Sequence, residues 1–327
     1  MQETSVLKST KEVEENLKDI NQQSRDYIKD IIILVNKEVG INKILSIILF
    51  GSQRAEKGEA TVLSDCDLLL IFKDRVSNHH IKEIEKYFIA LEIKHNFREY
   101  SPKLSKKILG VISQTTGIFV SHFLTKKKYW EHANFHKIFR VNKVFSTVFA
   151  PRNIVLGNVL TNSTTLYGED LREKLRSKVQ ISFIEMVKST VMNLMISFFS
   201  IGISLFRKLD PIKYQLEAIK WALKASNFYC FRDSETLEKI TGRFVSFERP
   251  KSQTRTRNFF NDFLNLRKRP NNDTNFMIRS PIRIIKIHIR AILYRKLVLK
   301  FETPSKQRKT AQTYDPNISD PTFPLRI

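Results

Sequence analysis

Apolar residues recur along this chain with two different periods, and the change of period divides it. Over residues 8–39, Val13, Leu17, Ile20, Tyr27, Ile31 and Leu34 return about every 3.6 positions between charged faces, which predicts a helix stopped at Gly40. Lys43–Phe50 is a short apolar run of strand length, ended by Gly51-Ser52. Residues 53–63 are polar and contain Gly58, as in a loop or short helix. Cys66–Phe72 is a second strand, and its unbroken apolar run predicts burial on both faces. Asn78–Phe97 predicts an amphipathic helix, and Gly117–Leu124 a third strand. A strand, a crossover helix and a strand make an α/β pattern.

Beyond about Leu166 strand signals fade. Leu171–Phe206, Pro211–Phe231 and Ser280–Phe301 predict helices, the last with Ser280 as N-cap and Pro281 in the first turn. The predicted architecture is an α/β domain over residues 1–165 and an all-α helical bundle over 166–302. A tail over 303–327, rich in proline and poor in apolar residues, is expected to be disordered or draped on the surface. Ser189–Phe206 is free of charge for 18 residues, a length that raises a membrane span. Its four serines, a threonine and an asparagine weigh against that and for a helix buried in the centre of the bundle.

Charge sharpens the division. The chain of 327 residues carries 56 Lys+Arg against 33 Asp+Glu, a net +23. Residues 1–170 hold a net +5 and residues 171–327 a net +18. A basic half of this kind suits anionic partners, whether nucleic acid, nucleotides or a lipid surface, with RNA one candidate for the bundle and a merely soluble basic surface the alternative. Two cysteines, Cys66 and Cys230, are too few for a disulfide scaffold or a four-thiolate zinc site, and they suit a reducing, cytoplasmic setting. The polar, acidic first residues do not read as a signal peptide.

The chemistry concentrates in Phe50–Phe72, FGSQRAEKGEATVLSDCDLLLIF. Strand alternation puts Asp65 and Asp67 on one face, with Cα atoms about 6–7 Å apart, and turns Cys66 into the core. Two such carboxylates form a hard-oxygen cage of the kind Mg²⁺ takes, with phosphates and waters completing its shell. Gly51 lets a phosphate approach the backbone, and Ser52 can hold it. The parts describe a nucleoside triphosphate held beside a metal.

This segment resembles the nucleotidyltransferase superfamily of the DNA polymerase β type, whose pattern is an apolar residue, Gly-Ser, a spacer, then Asp-x-Asp on a strand. The match runs through Phe50, Gly51, Ser52, Ser64, Asp65 and Asp67, and Arg54 and Gly58 fit the smaller members. Asn158–Leu171, NVLTNSTTLYGEDL, looks like the junction that leads into a helical domain in the minimal and aminoglycoside-type enzymes. The helices after it resemble the kanamycin-nucleotidyltransferase C-terminal or HEPN-like bundle. The resemblance implies Mg²⁺ on Asp65 and Asp67, and a triphosphate seated by Gly51, Ser52, Arg54 and Ser64. The reaction it implies is transfer of a nucleotide, AMP from ATP in the first instance, to an acceptor hydroxyl on protein, RNA or a small molecule.

One position departs from the pattern. The superfamily places a third carboxylate on a neighbouring strand, and Gly117–Leu124 offers Ser121 and His122 instead. Alternation turns these two to opposite faces, so only one can meet the metals. His122 is the expected catalytic base, and Glu92, Glu99 and Glu131 are the nearby carboxylates. The alternative reading is an impaired member of the fold that binds nucleotide or RNA without turnover. Arg283 and His288 have the spacing of a nuclease pair, but the expectation is a basic helix with one exposed histidine. The sequence leaves a homo-oligomer open.

Overall fold

The computed structural model describes residues 13, 15–18, 20–51, 66–97, 121–204 and 210–301. Its centre is a mixed four-stranded sheet. Strands β1 (Ile44–Phe50), β2 (Asp67–Phe72), β3 (His122–Lys126) and β4 (Ser163–Gly168) lie in the order β3-β2-β1-β4. β1 pairs antiparallel with both β2 and β4, and β2 pairs parallel with β3. The sequence pattern predicts three strands. The fourth, STTLYG, is short and polar on an edge of the sheet, and it crosses the expected domain boundary at 165/166.

Helices α1 (Gln22–Glu38) and α2 (Asn78–Lys94) cover one face. Each is started by a side-chain cap: Asn21 accepts from the Ser24 amide at 2.8 Å, and Ser77 from the His80 amide at 3.1 Å. Tyr27, Ile31 and Phe88 from these helices pack against Ile47, Leu68 and Leu70 of the sheet. The other face, with Ile48, Leu69, Ile71 and Phe123, meets α3 (Lys127–Glu131), α4 (Phe135–Ile138) and α6 (Arg152–Thr161). The short helix α5 (Lys143–Val148) precedes α6.

After β4 come α7 (Glu173–Arg176), α8 (Phe183–Ile203), α9 (Pro211–Phe231), α10 (Leu237–Ser246), α11 (Pro250–Lys268) and α12 (Thr274–Phe301). The axis of this bundle is α9, which buries Leu216, Ile219, Leu223 and Phe228 on successive turns. Phe259, Phe260 and Phe263 of α11 enter the same core.

Three helical expectations change. The helix predicted over Leu171–Phe206 is two, because Ser182 caps a new start at Phe183. The last helix begins at Thr274, two turns before Ser280. Asp273 caps it, accepting from the Phe276 amide at 2.8 Å, and Ser280 donates its hydroxyl back to the Phe276 carbonyl at 2.6 Å with Pro281 inside the helix. The apolar helix α8 is not enclosed. Glu185, Ser189, Asn193, Ser197 and Ser200 are its buried stripe, while Ile184, Val191 and Phe198 face outward.

Candidate functional site

The site starts where β1 ends. Phe50 is the register partner of Asp67, the first residue of β2. The chain then turns at Gly51, whose φ is +86°. A Cβ added to Gly51 would lie 2.2 Å from Asp67 Oδ2. Glycine is therefore required twice over, by the left-handed backbone and by the carboxylate that occupies the space of a side chain. The Asn162 amide donates to the Gly51 carbonyl at 3.4 Å, and the Asn162 carbonyl oxygen accepts from the Ser234 hydroxyl at 2.7 Å. Those two bonds tie the turn to the start of β4 and to the bundle.

Alternation puts Asp67 on the same face as Leu69, Ile71 and Phe123, the face away from α1 and α2. There it borders a cleft between the sheet and the bundle. Phe50 and Phe123 line the sheet side, Phe139 and Ile154 the flank, and Glu217 and Trp221 of α9 the far side. The cleft encloses about 960 Å³ with its open mouth included.

Glu217, Lys220 and Trp221 share one side of α9 because positions three and four apart stand together on a helix. Burial alone would raise the Glu217 carboxyl. Lys220, and Arg267 of α11 with Nη1 at 3.2 Å, outweigh it and hold the group below the usual carboxylate range. Lys220 Nζ also sits 5.8 Å from the centre of the Trp221 ring. The Trp221 indole N–H is buried with no hydrogen-bond partner among the described residues. A buried donor without a partner costs about 1–3 kcal/mol. The sequence shows the Glu-Lys-Trp spacing; that it faces Asp67 is set by how sheet and bundle pack.

The expected site residues separate as follows. Gly51 and Asp67 are brought together. Ser52, Arg54, Ser64 and Asp65 lie outside the described residues, as does Glu99. His122 is a correction. It pairs with Leu68 in the β2–β3 register, so its side chain enters the closed face beneath α2 rather than the cleft. There its Nδ1 lies 2.6 Å from Glu92 Oε1, both groups buried, with the Phe88 ring against it at 5.1 Å. Ser121, one residue earlier, has the opposite parity, and its carbonyl accepts from the Leu68 amide at 2.8 Å. Glu92 is thus tied to His122, and Glu131 lies on α3 near Lys127. Glu217 is the second carboxylate lining the cleft among the described residues.

The donor chemistry around Asp67 fits one ligand of a hard-oxygen metal site. No group of three His, Cys, Asp or Glu side chains suited to a metal occurs among the described residues.

His288 is also a correction: it is fully buried, not exposed. Its Nδ1 is 2.8 Å from the Tyr229 hydroxyl and 3.3 Å from the Ser226 hydroxyl, and its Nε2 is 3.1 Å from the Asn193 amide. Burial drives its pKa down to about 3. A neutral ring locked among three core groups serves packing, not nuclease chemistry.

No protein-family model and no curated protein matches the chain. Among solved structures it is similar to the spectinomycin adenyltransferase AAD(9) from Enterococcus faecialis, crystallised with ATP and spectinomycin. That likeness has a TM-score of 0.46 at 9% identity, over 82% of this chain and 98% of the other. The functional reading therefore stands on the residues of the cleft.

Proposed function

We propose that this chain is a nucleotidyltransferase that moves a nucleoside monophosphate, AMP from ATP in the first instance, onto an acceptor hydroxyl. The observation that carries the reading is the Gly51–Asp67 junction. A glycine turn at positive φ and a strand-start carboxylate meet at a cleft whose far wall holds Glu217, Lys220 and Trp221.

In this reading the sequence pattern supplies what lies beside the junction. Asp65 would join Asp67 in holding Mg²⁺, and Ser52, Arg54 and Ser64 would seat the triphosphate against the Gly51 backbone. Mg²⁺ bound there offsets charge that builds on the phosphates during in-line attack. The chain's own part is placement. Gly51 leaves room for phosphate oxygens, the aromatic walls exclude water, and Phe50, Phe123 and Trp221 offer flat apolar surface to a base or an aromatic acceptor. The cleft is poor in free acidic side chains among the described residues, since Glu217 is already neutralised by Lys220 and Arg267. The acceptor that suits such walls is a neutral hydroxyl compound rather than a polycation. RNA on the basic half and a cytoplasmic location stay with the proposal as expectations of charge and cysteine content.

A second reading has its own observation. Ser121, at the entry to β3 with parity opposite to His122, replaces the third carboxylate of the superfamily pattern, and a serine is a poor base at neutral pH. That favours a protein that binds nucleotide without turning it over. Titration of ATP with Mg²⁺ by calorimetry tests binding, with Asp67→Asn as the control. Pyrophosphate release over a set of protein, RNA and small-molecule acceptors tests turnover. ATP binding that survives in Asp67→Asn sinks the first reading; binding without pyrophosphate release selects the second.

A further inference from the structure

The described residues include nineteen large apolar side chains that are exposed, and twelve of them lie on α8 and α12, six on each. On α8 they include Ile184, Val187, Val191 and Phe198, and on α12 Ile278, Ile282, Ile289 and Leu293. Both sets recur at three- and four-residue intervals, so each makes a stripe along its helix. The two helices pack side by side and antiparallel. Asn193 meets His288 near their middles, and Lys296 lies 5.9 Å from the Phe183 ring near the start of α8. The two stripes thus form one apolar surface, far beyond scattered single exposures.

The inward side of α8 decides how that surface can be used. Asn193 bonds His288, the Ser197 hydroxyl accepts from the Gln215 amide at 2.7 Å, and the Ser200 hydroxyl donates to the Pro211 carbonyl at 2.6 Å. The Glu185 carboxylate accepts from the Asn153 backbone N–H at 2.9 Å. These bonds hold α8 in the bundle with its apolar side out. Crossing a bilayer would break all four and strand their groups in hydrocarbon. The helix can lie on a lipid surface and stay folded.

The charge around the stripes selects among occupants. α12 carries seven Lys and Arg and no Asp or Glu. Lys286 is exposed beside its apolar stripe and Lys296 within it, while Arg279 pairs with Asp262 at 3.6 Å, Arg290 with Glu248 at 3.3 Å, and Arg283 donates to the Thr256 hydroxyl. α8 has one acidic residue, Glu185, and it is buried. A second copy of the chain would set the exposed Lys286 and Lys296 of two such helices against each other. An anionic lipid surface offers the opposite sign at the rim and hydrocarbon for the stripe, the two terms that together hold an interfacial helix. We propose that the α8–α12 face docks this protein, flat and peripherally, on membranes bearing anionic headgroups. The proposal is independent of the nucleotide site.

Flotation of the full chain with vesicles tests it, using neutral phosphatidylcholine alone and phosphatidylcholine with about a third phosphatidylserine. The wild type is expected to float with the anionic vesicles, several-fold less with the neutral ones, and less again at high salt. Phe198→Ser, Ile282→Ser and Ile289→Ser combined should lower anionic-vesicle binding by at least about tenfold. These side chains are exposed, so an unchanged far-ultraviolet circular dichroism spectrum is expected, and Phe198→Leu, Ile282→Val and Ile289→Val combined should bind as the wild type does. Lys286→Gln with Lys296→Gln should remove the preference for the anionic vesicles. Full binding by the triple serine variant overturns the proposal, as does equal binding to both vesicle types. A dimer in sedimentation that the serine substitutions dissociate, with no vesicle binding, replaces it with self-association.

Discussion

The two faces of the sheet carry the same kinds of side chain and put them to opposite uses. Under α2, His122 and Glu92 meet inside a sealed apolar layer, with Phe88 closing over them. On the other face, Asp67 stands at the rim of a cleft with Gly51 beside it and Trp221 across. His122 and Asp67 belong to adjacent paired strands, and one step of alternation separates a structural pair from a chemical site. An ionisable group therefore cannot be assigned a role by its type or its strand. Its parity within the register comes first.

The comparison predicts that the two faces respond to substitution in opposite ways. Asp67→Asn should cost more than about 100-fold in Mg²⁺-dependent ATP affinity or turnover, beyond what outer-shell changes at metal sites cost. Its melting temperature should stay within a few degrees of the wild type, since the amide keeps the carboxylate's shape. Thermal melting and calorimetry on one preparation check both halves. His122→Ala should do the reverse. It leaves Glu92 facing a cavity where a buried partner stood, which costs about 3–5 kcal/mol of stability. Specific activity of the folded fraction should not change. Urea unfolding beside an activity assay reads this, and a hundredfold loss of rate with wild-type stability would return the histidine to the chemistry.

Gly51→Ala probes the junction between the two behaviours. Its methyl group would fall on Asp67 Oδ2 in a backbone region that alanine rarely enters. A stability loss of about 1–3 kcal/mol is expected together with weakened ATP binding. Stability loss alone, with full affinity, would show that the turn supports the sheet and not the phosphates.

Much of this arrangement is legible in the sequence, because its signals are local. Gly51, the run before it and the run after Asp67 mark β1, β2 and the turn directly. β4 is lost because STTLYG is a polar edge strand held by its pairing with β1 rather than by its own pattern. The orientation of His122 needs the β2–β3 register, which no single strand contains. Glu217 and Trp221 come from a helix some 150 positions beyond β2, and only the packing of bundle on sheet brings them to the cleft. The reading of α8 fails for another reason. The polar residues that weigh against a membrane span imply contact with the bundle on one side only, since Glu185, Ser189, Asn193 and Ser197 at four-residue intervals mark the side that faces it. That side has hydrogen-bond partners waiting on α9 and α12, so the polar stripe turns in and the apolar one is left outside.

The smallest expected effect compares the two buried histidines. His122 is set against a carboxylate, whereas His288 has neutral neighbours, Asn193, Ser226 and Tyr229, and burial lowers its pKa to about 3. The native ring therefore stays unprotonated over a range where the unfolded chain, with a histidine pKa near 6.5, takes up a proton. Stability from this group is complete above about pH 6.5 and falls as the pH drops from there towards 3. The slope is about 1.4 kcal/mol per pH unit, since the unfolded state binds the extra proton. Between pH 6.5 and pH 5.5 the loss is therefore about 1 kcal/mol. Replacing His288 by Gln keeps an amide for hydrogen bonds and removes the titrating ring. Urea midpoints of wild type and His288→Gln measured over that interval should diverge at the higher pH and converge as it falls. Parallel curves would mean that His288 takes up its proton while folded, and that the core around it opens to water.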